Sequence, residues 1–214
     1  MLEEYYTVNP SGSDEMIIQK SRFIGYVKRA ETEKEAQDFI NEIKKKHHDA
    51  THNCSAYLIG ENDEIQKAND DGEPSGTAGV PMLEVLKKQQ LKDTAVVVTR
   101  YFGGIKLGAG GLIRAYGTAT SKAITKTGVV KRQLMQGFSL VIEYPLLGTL
   151  ENELRNSDHI IETINYLENV ELIVYVHIKE VDNFIEWITN LTSDQAIIKK
   201  KGQKYIELPK EKME

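Results

Sequence analysis

The sequence predicts an α+β fold with two domains. Its 214 residues are enough for two small domains that each bury a core. Up to Gly128, amphipathic helix patterns are mixed with short strand-like runs, and after it the pattern changes. The later part has the order β-α-β-β-α-β, which is typical of a ferredoxin-like domain. We therefore expect domains at 1–132 and 133–214.

The first domain is expected to combine strands with three helices. A helix at 31–46 is indicated because Thr32 can cap it, acids crowd its start and lysines crowd its end. The Ala-Val-Val-Val run at 95–98 is typical of a strand buried on both faces, and Gly128 is suited to stop the last helix. In chain order we expect strands at 5–9, 16–29 (or a bent hairpin), 54–59, 64–68 and 94–99, with helices at 31–46, 82–90 and 111–126.

The second domain is expected to pack two helices on one sheet. Leu146, Leu150 and Leu154 fall on one side of a helix at 145–156, and a second helix is expected at 181–191. The strands of this domain are expected at 136–144, 160–166, 171–178, 196–200 and 205–208.

The charge of the chain is unevenly distributed. The net charge is −5, which argues against a protein that binds nucleic acid over its whole surface. No acid occurs from Thr94 to Ile142. Basic residues do occur there, namely Arg100, Lys106, Arg114, Lys122, Lys126, Lys131 and Arg132. The sequence therefore predicts a local basic surface in an acidic protein.

The chain has the features of a cytoplasmic protein. Cys54 is the single cysteine, so no internal disulfide is expected. The first residues lack the basic and apolar regions of a signal peptide. No apolar run approaches the ~20 residues that span a membrane.

A glycine-rich stretch at 98–117 is the main candidate binding site. It follows a predicted strand and opens a predicted helix, where free backbone amides can hold an anion. It lacks the Lys-Ser/Thr of a Walker loop and the last glycine of a dinucleotide fingerprint. The alternative is a structural turn that packs the helix on the strand. The residues expected to bind phosphate or nucleic acid here are Arg100, Tyr101, Gly103, Gly104, Lys106, Gly108, Gly110, Gly111 and Arg114.

A second loop at 70–81 is the acidic counterpart of this stretch. Asp70, Asp71 and Glu73 are weak candidate ligands for Mg²⁺, which prefers oxygen ligands. Ser75 and Thr77 could contact a phosphate. The alternative is an ordinary solvated turn, and we expect neither a bound metal nor another cofactor.

Two further groups of residues stand near these loops. His52 and Cys54 lie two apart on an expected strand and so face one side, where they are expected to line the same pocket. Catalysis or zinc binding by this pair is not favoured, since one cysteine is too few for common zinc sites. Tyr101 and Phe102 could stack on bases, although Phe102 is expected to belong to the core.

The two loops resemble the signature of a known family. The runs DDGEPSGTAG at 70–79 and VTRYFGGIKLGAGGLIRAYG at 98–117 are similar to those of the Impact family, which includes the bacterial YigZ/YvyE-like proteins. His52-Asn53-Cys54 and Ser21-Arg22-Phe23 also fit its pattern, which adds Arg22 to the expected binding residues. The resemblance implies a first domain like a ribosomal protein and domain IV of elongation factor G. It implies a second domain like domain V of that factor.

Three functions remain open at this point. The eukaryotic relatives are translation regulators, so the resemblance favours a non-enzymatic protein that binds RNA, the ribosome or a translation-associated partner. A Mg²⁺-dependent hydrolase or phosphotransferase acting on a small phosphorylated ligand is one alternative. A protein-interaction module that uses the second domain is the other.

Overall fold

The computed structural model describes residues 1–209 and confirms the α+β class. The chain divides into two compact units, Tyr5–Lys131 and Met1–Glu4 with Arg132–Glu207. Within the described residues no helix is both long and apolar enough to span a membrane. The strands are β1 (Glu4–Val8), β2 (Ser11–Ile18), β3 (Ser21–Arg29), β4 (His52–Ile59), β5 (Ile65–Asn69), β6 (Thr94–Tyr101), β7 (Val129–Ile142), β8 (Ile160–Tyr166), β9 (Val170–His177) and β10 (Ile197–Pro209). The α-helices are α1 (Glu33–Lys46), α2 (Gly79–Lys88), α3 (Gly108–Thr127), α4 (Tyr144–Arg155) and α5 (Val181–Leu191).

The first unit is a sheet covered by helices on both faces. Its strand order is β2-β3-β6-β4-β5, and the pairs are antiparallel. Helix α1 packs on the face that carries Ala95 and Val97, whereas α2 and α3 pack on the face that carries Val96 and Val98. Successive side chains of a strand alternate between faces. The central run of β6 at 95–98 is therefore apolar because both faces of the strand are buried there, as the sequence predicted.

Both helices next to the candidate loops begin earlier than their sequence pattern indicated. Helix α2 begins at Gly79 rather than at 82, and α3 begins at Gly108 rather than at 111. For α2 the cause is Asp70, whose carboxylate accepts hydrogen bonds from backbone amides at the start of this helix. The expected bent hairpin at 16–29 is the longer β2–β3 hairpin, which turns at Gln19 and Lys20 with φ angles of 44° and 65°.

The second unit has the ferredoxin-like topology expected from its sequence. Its elements follow the order β7-α4-β8-β9-α5-β10, with a short 3-10 turn before α5, and strand β7 lies between β9 and β10. The two expected final strands form one strand, β10. The core of this unit contains Phe138, Leu150 and Phe184.

Candidate functional site

A buried ion pair lies where the two candidate loops meet. Arg100, near the end of β6, points to the face of the sheet covered by α2 and α3, and its Nη1 donates to Glu73 Oε1 at 2.7 Å. Tyr116 of α3 donates its hydroxyl to the same oxygen at 2.7 Å. The side chains of Arg100 and Glu73 are 6% and 4% exposed. Arg100 therefore holds the acidic loop in place and does not present its guanidinium to bulk solvent.

His52 and Cys54 face the same side of β4, next to this ion pair. His52 Nδ1 lies 2.8 Å from the carbonyl oxygen of Asp71, and its Nε2 lies 3.8 Å from Glu73 Oε2. The Cys54 thiol donates to the carbonyl oxygen of Asp70 at 2.9 Å. Burial raises the pKa of Cys54 to about 12. Cys54 is therefore a protonated thiol at neutral pH and is not an activated nucleophile.

The acidic side chains of the loop at 70–81 are held by different groups. Asp70 accepts from the amides of Gly76, Ala78 and Gly79 at 2.8, 3.0 and 2.8 Å. Burial by itself would raise the pKa of Asp70, but these three amide bonds outweigh it and lower the pKa. Asp70 thus caps α2, which explains the early start of this helix.

Asp71 and Glu73 do not join Asp70 at a common point. Asp71 receives Lys44 Nζ at 2.6 Å and the amide of Asn53 at 2.7 Å, whereas Glu73 faces Arg100. Among residues 1–209 no group of three or more His, Cys, Asp or Glu side chains is arranged to hold a metal. The two hydroxyl residues of the loop also differ, because Ser75 is exposed and Thr77 is buried with its hydroxyl bonded to a loop carbonyl.

The glycines of the second loop bring backbone close to backbone and leave amides free. A Cβ on Gly103 would lie 2.1 Å from the carbonyl group of Lys20, so only glycine fits there. Gly104 and Gly108 have φ angles of +84° and +70°, a region that favours glycine. No side chain caps α3. In the described part of the chain, no acceptor takes the amides of Gly108 or Gly110.

The two loops enclose one pocket of about 410 Å³. Glu73 and Pro74 come from the acidic loop, and His52 and Arg100 come from the sheet. The glycine loop and the start of α3 complete the pocket with Phe102, Lys106, Leu107, Gly108, Ala109 and Leu112. Phe102 is 46% exposed rather than part of the core, because its position just beyond β6 turns the ring to this pocket. The two loops thus lie next to each other in the fold.

Arg22 and Tyr101 lie on the opposite face of the sheet. Strand alternation turns them away from Arg100, toward the α1 side. The Tyr101 hydroxyl contacts His47 Nδ1 at 2.9 Å and donates to Asp49 at 3.1 Å. Arg22 is paired with Glu15 at 2.7 Å. The structure therefore does not bring these two residues together with the glycine loop.

A basic groove of about 1000 Å³ lies between α2 and α3. Arg114, Lys122 and Lys126 line it from α3, and Lys88 lines it from α2, with Asp14 as the single acid in the lining. None of these four cations forms an ion pair with a described residue. Lys122 and Lys126 belong to the basic stretch that the sequence predicted, but neither they nor Lys88 were among the expected binding residues. The four- and eight-residue spacing of the α3 cations would have placed them on one helix face.

Both units match known protein-family models. The Impact N-terminal domain matches residues 19–124, which include both loops and most of the residues that line the groove. A domain of unknown function, DUF1949, matches residues 140–195 in the second unit.

Whole-chain relatives extend this match beyond the first unit. The chain is 59% identical to the IMPACT family member YvyE of Bacillus subtilis over 97% of its length and 95% of that protein. It is 44% identical to the IMPACT homolog of Dictyostelium discoideum over 42% of its length and 27% of that protein. A crystal structure of a hypothetical protein matches 92% of the chain and 97% of its own, with 30% identity and a TM-score of 0.60. The family model covers the loops at 70–79 and 98–117, and this chain belongs to the IMPACT family.

Proposed function

We propose that the chain binds single-stranded RNA through the basic groove between α2 and α3, in a translation-associated role. The observation that supports the proposal most is the set of unpaired cations in this groove. Phosphate contacts supply most of the affinity of proteins for nucleic acid. The elongation-factor-like domains implied by the family resemblance favour translation as the context.

The spacing of the cations suits an extended polyanion. At a rise of 1.5 Å per residue, Arg114 and Lys126 are separated by roughly 18 Å along the axis of α3. Lys122 lies between them, and Lys88 faces them from α2. A strand that follows α3 would therefore meet successive positive charges along its backbone.

The start of α3 adds a second phosphate contact. Its first amides have no acceptor within the described residues, and the helix dipole makes this end positive. An ideal Cβ on Gly110 would lie 3.6 Å from Arg114 Nη1, so the guanidinium lies back over this first turn. Lys106 is exposed just before the helix. The groove and the helix N-terminus thus form one basic path on the first unit.

The experiment compares two charge-matched double variants in a binding titration with a labelled single-stranded RNA. Lys122→Gln/Lys126→Gln removes two groove cations, and Lys199→Gln/Lys200→Gln removes two exposed lysines of the second unit. For wild type, the slope of log Kd against the logarithm of the salt concentration should be about 0.7 for each phosphate contact. The groove variant should bind more weakly and lose about two contacts' worth of slope. The control variant should match wild type.

Two results would contradict the proposal. One is an affinity for RNA that does not change with salt. The other is an equal loss in the groove variant and its control, which would reduce the effect to net charge.

A further inference from the structure

The pocket between the two loops has a feature that the phosphate contacts leave unexplained. Glu73 Oε1 is occupied by Arg100 and Tyr116, but Oε2 has no hydrogen-bond donor among the described residues. The Glu73 side chain is 4% exposed and lines the pocket. The carboxylate is largely withdrawn from water, so an oxygen without a protein donor is unfavourable and favours a donor from a ligand. The pocket therefore offers an acceptor that a ligand can satisfy.

His52 adds a second acceptor at the same place. Its Nδ1 faces the carbonyl oxygen of Asp71, which can only accept, so Nδ1 carries the proton. In the neutral imidazole Nε2 then accepts as well. This atom lies 3.8 Å from Glu73 Oε2, too far apart for a direct hydrogen bond between the two. A ligand amino group placed between them can donate to both.

The other end of the pocket has the opposite character. Lys106, Gly108 and Ala109 form its exposed end, where the unused amides of α3 favour an anion. Phe102 lies along the wall, half exposed, with the Arg100 guanidinium 5.3 Å from its ring centroid. An exposed aromatic ring in a binding groove is a surface on which a base can stack. The volume of about 410 Å³ is in the range of small-ligand sites.

We infer that this pocket binds one nucleotide whose base carries an exocyclic amino group. The amino group donates to Glu73 Oε2 and His52 Nε2, the base stacks on Phe102, and the phosphate lies at the start of α3. Adenine, cytosine and guanine have such a group, whereas uracil has none. The nucleotide is either a residue of the strand in the basic groove, in which case the inference rests on the proposed function, or a free mononucleotide.

The test measures the affinity of wild type for labelled oligo(A), oligo(C) and oligo(U) of equal length, and for AMP, CMP and UMP by calorimetry. An acceptor left without its donor weakens binding by about tenfold. Oligo(A) and oligo(C) should therefore bind about tenfold more tightly than oligo(U). The mononucleotides should rank in the same order if the pocket also takes free ligands. Preference shown only by mononucleotides would assign the pocket to a free ligand.

Three single variants separate binding in the pocket from the effect of the loop that carries it. Phe102→Ala should lower the affinity for oligo(A) by about tenfold, because it removes a stacking surface. Ile105→Ala is the matched control, since Ile105 is exposed in the same loop but does not line the pocket. Glu73→Gln should reduce the preference for oligo(A) over oligo(U), because it removes one of the two acceptors for the amino group. Circular dichroism checks that each variant is folded.

The failures of the two proposals are distinguishable. The pocket inference is overturned if neither the oligonucleotides nor the mononucleotides show a preference among bases, or if Phe102→Ala leaves the affinity for the preferred ligand unchanged. The RNA proposal still stands in that case if the Lys122→Gln/Lys126→Gln variant binds RNA more weakly. If no RNA binds, the proposed function fails. In that case the pocket inference is still supported if AMP and CMP bind more tightly than UMP and Phe102→Ala removes this preference. If the mononucleotides show no such preference, the pocket inference is overturned as well.

Discussion

Glu73 and Arg100 form a buried ion pair in which Oε1 and Nη1 are 2.7 Å apart. The pair joins the acidic loop to the sheet, and Tyr116 joins the same carboxylate to α3. Burial raises the pKa of the Tyr116 hydroxyl, so it stays protonated and donates. Both candidate loops are thus positioned by one carboxylate.

Removal of Glu73 alone should destabilise the first unit strongly. Glu73→Ala leaves the Arg100 guanidinium buried without a counter-ion, which costs about 3–5 kcal/mol in free energy of unfolding. The double variant Glu73→Leu/Arg100→Met should recover much of this loss, since it removes both charges. Urea denaturation measures the free energy of unfolding of wild type, Glu73→Ala and the double variant. Glu84→Ala, which breaks an exposed pair with Lys87, should change stability by under ~1 kcal/mol. A comparable loss in this control would contradict the argument.

Asp70 should contribute stability that depends on pH. Asp70→Ala removes the acceptor of three amides at α2 and should cost about 2 kcal/mol at neutral pH. The pKa of Asp70 in the folded protein lies below its ordinary 3.8, so the charged form favours the folded state. The contribution should therefore be present above pH 3.8 and disappear as pH falls through the folded pKa. Denaturation of wild type and Asp70→Asn across this range measures it, and a difference that grows with acidity would contradict the prediction.

Gly103 and Gly104 should respond differently to alanine. A Cβ on Gly103 would lie 2.1 Å from backbone atoms of Lys20, so Gly103→Ala must displace the β2–β3 turn. Gly104 has a φ of +84° but open space around it, so Gly104→Ala should cost only about 1 kcal/mol. Thermal unfolding should show a clearly larger loss for Gly103→Ala. Gly148→Ala, in open space on α4, should be neutral or slightly stabilising.

Cys54 should resist thiol reagents while the protein is folded. Burial raises its pKa from 9.0 to about 12, which lowers the thiolate fraction by roughly 1000-fold at neutral pH. Labelling with iodoacetamide should be slow in buffer and fast in guanidinium chloride. Fast labelling of the folded protein would show that the thiol is accessible and ionised.

The helices and strands depend mainly on local sequence patterns, and most of them were predicted from these patterns. The apolar run in β6 and the capped, charge-biased helix α1 are examples. Helix starts were less predictable. The start of α2 depends on Asp70, which is nine residues before Gly79 and reaches it only through the folded loop.

The α+β class, the family and the acid-free stretch from Thr94 to Ile142 follow from the order of the amino acids. Which charges of this stretch face solvent depends on the three-dimensional fold. Arg100 is buried because its position on β6 aims it at the α3 side, where Glu73 neutralises it. Arg114 lies exposed on α3, and Lys88 joins it from α2. Side-chain direction on a strand or helix is a local property. Which charges meet a partner depends on contacts between segments distant in sequence.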